Sequence, residues 1–325
     1  MEPDFRHSQK RRCRGHDYRS RCIYLITMMK SPDAPPFSSI SADRRCSKVS
    51  PLVELSAAGK VVYESLDKLS RDHPALSILC RVAMPDHLHF VVFVTERTEQ
   101  PLGSMLAAFK AECSRTYKTR YPLSALATED LPMFEPGFND KIVFRAGAKE
   151  AFYNYVIDNP RRYLVKRLYP EYFFHKLVLA VGAKRCGLYG NLFLLDNPVK
   201  SFVKISRVRS HTPDLDRKIK EWNETIRCGG VLVSPFINPD EKEYRDAATK
   251  NGTGIILIVD YRFSDRQKPY KELFDLCSEG RLLIVSTEEF AAPPKTMHYT
   301  HAQELNALAS QIATLAPRTS LLLPR

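Results

Sequence analysis

Apolar residues recur along the chain at two spacings, every second position in some stretches and every third to fourth in others, which separates strands from helices. Residues 22–29 (Cys-Ile-Tyr-Leu-Ile-Thr-Met-Met) read as a first strand, and a polar Pro/Ser loop is expected over about 30–47. Val62, Leu66 and Leu69 keep helical spacing within 59–70, and the His73-Pro74 step ends that helix because the residue before proline is pushed out of helical angles. Residues 77–83 form a second strand, which leads into Met84-Pro85-Asp86-His87-Leu88-His89-Phe90-Val91-Val92-Phe93-Val94. Leu102, Met105, Leu106, Phe109 and Cys113 then share one face of a helix over 101–117. A Pro/Phe/Gly loop (131–139), a short strand (141–145) and a helix over about 148–157 follow. The order of elements predicts an α+β layer with helices packed on a sheet.

Beyond about residue 183 the rhythm changes. Helices over 213–226, 240–250, 269–278 and 300–313 alternate with wholly apolar strands over 230–234, 254–260 and 281–285. Continuously apolar strands between amphipathic helices predict a parallel sheet covered on both faces. Two domains are therefore expected, 1–182 and 183–325.

The strand at 87–94 carries the most informative chemistry. A spacing of two places His87 and His89 on one face while Leu88, Phe90, Val92 and Val94 point into a core. Two neutral imidazoles side by side can share a divalent ion, or can be hydrogen-bonded strand histidines and nothing more. The second informative stretch is Phe152-Tyr153-Asn154-Tyr155-Val156-Ile157-Asp158-Asn159-Pro160-Arg161-Arg162-Tyr163. On a helix Tyr155 and Asn159 share a face, giving a phenol as nucleophile and an amide as third metal donor. Tyr153 and Tyr163 have Ile157 and Arg167 as their i+4 partners, neither a donor, and suit packing roles. Arg161, Arg162, Lys166 and Arg167 offer phosphate contacts, or a solvated basic face. Pro160 places Asn159 at the end of its helix.

Charge adds to this picture. The net charge is +12, a surplus that favours approach to a polyanion. The lead carries Arg6, Lys10, Arg11, Arg12, Arg14, Arg19 and Arg21 without the apolar core of a secretory signal, and no apolar run reaches the ~20 residues of a membrane span. The 8 cysteines form no CxxC pair, which argues against a disulfide framework and a zinc clasp. A cytoplasmic protein without membrane partners is expected.

Taken together, Met84-Pro85-Asp86-His87-Leu88-His89, the amphipathic helix after it, Phe138-Asn139-Asp140-Lys141-Ile142 and Tyr155-Val156-Ile157-Asp158-Asn159-Pro160 resemble the single-tyrosine HUH transposases, especially the REP-associated tyrosine transposase branch. The resemblance spans roughly 18–170. It implies a ferredoxin-like or RRM-like nuclease domain, His87, His89 and Asn159 as ligands of magnesium or manganese, and Tyr155 as the nucleophile. The product would be a 5′-phosphotyrosine with a free 3′ hydroxyl. The substrate implied is single-stranded DNA, commonly hairpin-bearing, and the assembly a homodimer. DNA contacts are expected from Lys110, Arg115, Arg161, Arg162, Lys166 and Arg167. Rejoining through the covalent link needs no ATP, in agreement with a sequence lacking GxxxxGK[ST]. The other class left open is a non-catalytic nucleic-acid- or nucleotide-binding regulator that keeps the same surface.

The segment 229–243 looks like a Rossmann-type module of the DNA-processing-protein-A-like superfamily. Ser234 at a strand's carboxyl end, Asn238 just before a helix and Asp260 at the next strand end are candidates for an anion, nucleotide or DNA site. Asn238 and Asp240 would serve equally well as plain helix caps. GxGxxG is absent, so a dinucleotide is not expected.

Overall fold

The structure, a computed structural model, describes residues 13, 15–43, 49–143, 148–181, 184–205, 213–263, 269, 271–287 and 299–316. The chain divides into two compact units, Met1–Leu164 and Val165–Arg325. Among the described residues no helix is long and apolar enough to cross a membrane. The first unit is a mixed α/β body on an antiparallel sheet, and the second a mixed α/β body on a sheet with parallel strands.

In chain order the first unit holds β1 (Cys22–Met29), β2 (Ser38–Ala42), β3 (Pro51–Leu55), α1 (Ala57–Asp72), β4 (Leu76–Ala83), β5 (His87–Val94), α2 (Leu102–Arg120), α3 (Ala125–Thr128), β6 (Asn139–Ile142) and all but the last turn of α4 (Ala148–Leu168). Its main sheet runs β4-β5-β1-β6. The alternation in β5 is realised: Leu88, Phe90, Val92 and Val94 join Tyr24, Ile26 and Met28 of β1 in a core closed by Val61, Val62 and Leu66 of α1 and Leu106 and Phe109 of α2. The opposite sheet face offers Leu25, Val82 and Val91, and α4 lies on it through Val156, with Phe152 and Tyr163 at the margin. This second contact fixes where the helix carrying Tyr155 sits.

Two local expectations are corrected. The stretch taken as loop holds β2, paired antiparallel with β3. Ser-Ser-Ile-Ser-Ala is weakly patterned, and the strand is held from outside itself: Ser38 Oγ donates to the Ala83 carbonyl at 2.6 Å, and Ile40 packs beside Val91 and Val156. The helix expected to stop near 157 continues through Pro160 to Leu168. Proline removes one helical hydrogen bond, but the buried Val156, Leu164 and Val165 on either side anchor both halves. Asp158 also pairs with Arg161 and Arg162 across the break.

The second unit contains β7 (Phe174–Val181), β8 (Lys184–Gly190), β9 (Lys200–Phe202), α5 (Pro213–Arg227), β10 (Val231–Ser234), α6 (Pro239–Lys250), β11 (Gly254–Val259), α7 (Lys271–Ser278), β12 (Leu282–Thr287) and α8 (Tyr299–Thr314). It includes β7, which precedes the boundary expected at 182/183. The sheet order is β7-β8-β12-β11-β10-β9. Strands β10 to β12 run parallel as expected and the unanticipated β9 joins them in parallel, but β8 pairs antiparallel with β12 and β7 antiparallel with β8, so the sheet is mixed. Trp222 of α5, Ala248 of α6 and Cys277 of α7 cover one face. Leu305, Leu308 and Ile312 of α8 cover the other.

Candidate active site

The site is assembled from two elements of the first unit. Strand β5 presents both His87, its first residue, and His89, with ring centroids 4.4 Å apart at 78°. From above, α4 sets the Tyr155 ring against His89, centroids 5.4 Å apart at 70°. Val156 is fully buried against β5, so its neighbour Tyr155 stands at the edge of the contact, 40% exposed beside the histidines. Phenol and imidazoles, far apart in sequence, thus share one sheet face.

Each imidazole has one nitrogen taken. His87 Nδ1 donates to Asp86 Oδ1 at 2.7 Å, and this hydrogen bond holds the Asp86 carboxyl below its ordinary pKa. His89 Nδ1 meets Thr27 Oγ1 at 2.8 Å, the residue directly opposite it on β1. The His87 Nδ1, donating to a carboxylate, leaves Nε2 to carry the lone pair, and His89 does the same in the tautomer whose Nδ1 donates to Thr27. Burial, reinforced by His87, pushes the pKa of His89 down to about 3, so the ring stays neutral, as a ligand must be. Two neutral imidazoles fit a divalent ion. Among the described residues no group of three or more His, Cys, Asp or Glu is placed to hold one. Asn159, the expected third donor, lies one turn beyond Tyr155, with its amide Nδ2 donating to the Tyr155 carbonyl at 3.3 Å.

The cations expected to meet DNA are dispersed. Arg161 and Arg162 both bind Asp158, through Nε at 2.6 Å in each case. Lys110 and Arg115 belong to α2, which packs on the sheet face away from the histidines. There Lys110 donates to the carbonyls of Glu135 and Gly137, and Arg115 pairs with Glu112. Lys166 and Arg167 belong to the second unit, where Lys166 lies over the rings of Phe173 and Phe274 and Arg167 is exposed at the end of α4. Asp86 and Thr27 orient the imidazoles. Asp86 is visible in the sequence as an acidic neighbour of His87 without an assigned role, whereas Thr27 reaches His89 only through strand pairing.

In the second unit Ser234 is fully buried and its Oγ accepts from the Phe236 amide at 3.0 Å. Asn238 caps α6, accepting from the Glu241 amide at 2.8 Å. The buried Glu241 carboxylate accepts from the amides of Ile205, Ile237 and Asn238 at 2.9, 2.7 and 3.3 Å. The amide donors ahead of α6 that an external anion would use are thus engaged by the chain's own carboxylate. Asp260 follows the end of β11, partly exposed.

No family model and no curated protein matches the chain. Among solved structures, a REP-associated tyrosine transposase bound to a REP hairpin is similar at 15% identity, covering 47% of this chain and 73% of its own, with a TM-score of 0.32. A candidate transposase from Deinococcus radiodurans R1 is similar at 13% identity, covering 46% of this chain and 96% of its own, with a TM-score of 0.29.

Proposed function

We propose that the first unit is a single-tyrosine HUH nuclease and strand transferase of ferredoxin-like fold, acting on single-stranded, hairpin-bearing DNA as a homodimer. The observation that carries this is the convergence of His87, His89 and Tyr155 on one sheet face, with centroids 4.4 and 5.4 Å apart. The sequence motifs that hold these residues supply the family resemblance and, with it, the substrate.

In the proposed step Tyr155 Oη attacks a backbone phosphorus. The Oη–P bond forms as the P–O3′ bond breaks, the phenol proton passes to water, and the departing 3′ oxygen takes a proton from water. The products are a 5′-phosphotyrosine and a free 3′ hydroxyl, and attack by another 3′ hydroxyl reverses the step and rejoins DNA. His87 and His89 would hold a divalent ion, with Asn159 as third donor, and magnesium or manganese bound there would supply Lewis-acid polarisation of the scissile phosphate. Imidazole donors favour manganese, since magnesium prefers oxygen. Thr27 and Asp86 keep the rings facing the substrate. Arg161 and Arg162, which follow Tyr155 along α4 and pair with Asp158, are proposed to exchange that partner for the phosphates of the strand. The second unit is proposed as a Rossmann-like accessory body.

One observation favours a second reading, a non-catalytic nucleic-acid-binding regulator: the Asn159 amide is turned toward the Tyr155 carbonyl. The two are separated by incubating the full chain with labelled hairpin-bearing single-stranded DNA and Mn²⁺. A denaturation-resistant adduct, lost in Tyr155→Phe, is expected of the transferase. Tight binding without adduct belongs to the regulator.

A further inference from the structure

We propose that Lys141 is a catalytic residue of this site, its ammonium binding a non-bridging oxygen of the scissile phosphate. This rests on the reading of Tyr155 as nucleophile and extends it to a residue that the metal and nucleophile assignments leave unused.

The placement comes from strand register. Strand β6 pairs with β1 on the side away from β5, with Thr27 opposite Asn139 and Leu25 opposite Lys141. On its other side β1 sets Thr27 opposite His89 and Leu25 opposite Val91. Residues opposite one another in an antiparallel ladder share a face. Asn139, Thr27 and His89 therefore form one row across the sheet, and Lys141, Leu25 and Val91 the adjoining row, on the face that α4 covers with Tyr155. With strands about 4.8 Å apart and a two-residue rise of about 6.7 Å, the α-carbons of Lys141 and His89 are roughly 12 Å apart. An extended lysine and a phosphate group bridge such a gap.

One further observation singles this lysine out. It is exposed and, among the described residues, has no ion pair, whereas Arg161 and Arg162 are held by Asp158 and Arg115 by Glu112. Phosphoryl transfer is helped by a positioned cation at the oxygens that gather charge. Lys141 stays protonated throughout the step and changes none of its bonds.

The test uses the full chain as Lys141→Met and Lys141→Arg, with hairpin-bearing single-stranded DNA and Mn²⁺. Single-turnover adduct formation should slow at least about 10-fold in Lys141→Met and largely recover in Lys141→Arg. In a Tyr155→Phe background, where binding alone is read, Lys141→Met should lower the slope of log affinity against log salt by about 0.7, the value for one phosphate contact on a single strand. Equal adduct rates and equal slopes in wild type and Lys141→Met would overturn the proposal while leaving Tyr155 in place. If wild type forms no adduct, the nucleophile reading fails, and an unchanged slope then removes Lys141 as well.

Discussion

Asp86 and Thr27 decide which nitrogen each imidazole presents, and their removal should act on the ion before it acts on the fold. Asp86→Ala frees His87 to rotate and to bind through either nitrogen, so Mn²⁺ affinity should fall about 10- to 100-fold by calorimetric titration, with little change in thermal unfolding. An unchanged affinity would mean that His87 is not a ligand. His89 provides a pH signature in metal-free protein. Its folded pKa, about 3, lies below the ordinary histidine value of 6.5, so the unfolded chain binds more protons between those limits. Stability from the buried neutral ring is complete above about pH 6.5 and is lost as pH falls toward 3, by up to about 1.4 kcal/mol per pH unit. Urea midpoints at pH 7 and pH 4.5 should therefore separate more in wild type than in His89→Asn, and equal separations would contradict the buried neutral ring. The pair itself was legible because strand side chains alternate strictly. Thr27 was not, because nothing in a linear sequence states which residue of β1 lies opposite position 89.

Helix α1 shows two local effects in opposition. Alanine has the higher helix propensity, worth about 1 kcal/mol over glycine, yet a Cβ on Gly59 would stand 1.9 Å from the Phe37 carbonyl oxygen. The backbone collision dominates, so Gly59→Ala should destabilise the protein by about 2 kcal/mol or more in urea unfolding, and a stabilised variant would show that α1 does not approach residue 37 so closely. Strong periodicity made α1, α2 and the parallel strands readable. Of the elements not anticipated, β7 (Phe174–Val181) carries an apolar run of its own, whereas β2 and β9 carry little pattern. Strand β2 depends on Ser38 and Ile40 finding partners elsewhere in the fold, and β9 spans only Lys200–Phe202. The proline in α4 misled for a related reason: its local preference is real, but buried residues on both sides of it outweigh one missing hydrogen bond.

Across the whole molecule, the two units use buried charge differently. In the first, burial keeps His89 neutral. In the second, the Glu241 carboxylate satisfies three backbone amides contributed by the segments after β9 and β10. Glu241→Ala leaves those donors without the carboxylate and should cost about 3 kcal/mol in urea unfolding; a neutral effect would mean that water replaces it freely. Sequence placed Asn238 correctly as a cap alternative but could not show that residue 241 turns back to share the same amides. The surplus of +12 suited a polyanionic partner, yet most basic residues chosen from the sequence are held by local acids, carbonyls or rings, since charge counts do not record pairing. The decisive measurement concerns one atom, the hydroxyl of residue 155. After reaction with hairpin-bearing single-stranded DNA and Mn²⁺, nuclease trimming and peptide mass mapping should find a nucleotide joined through its 5′ phosphate to Tyr155. Attachment at Tyr153 or Tyr163, or an adduct that survives in Tyr155→Phe, would contradict the mechanism.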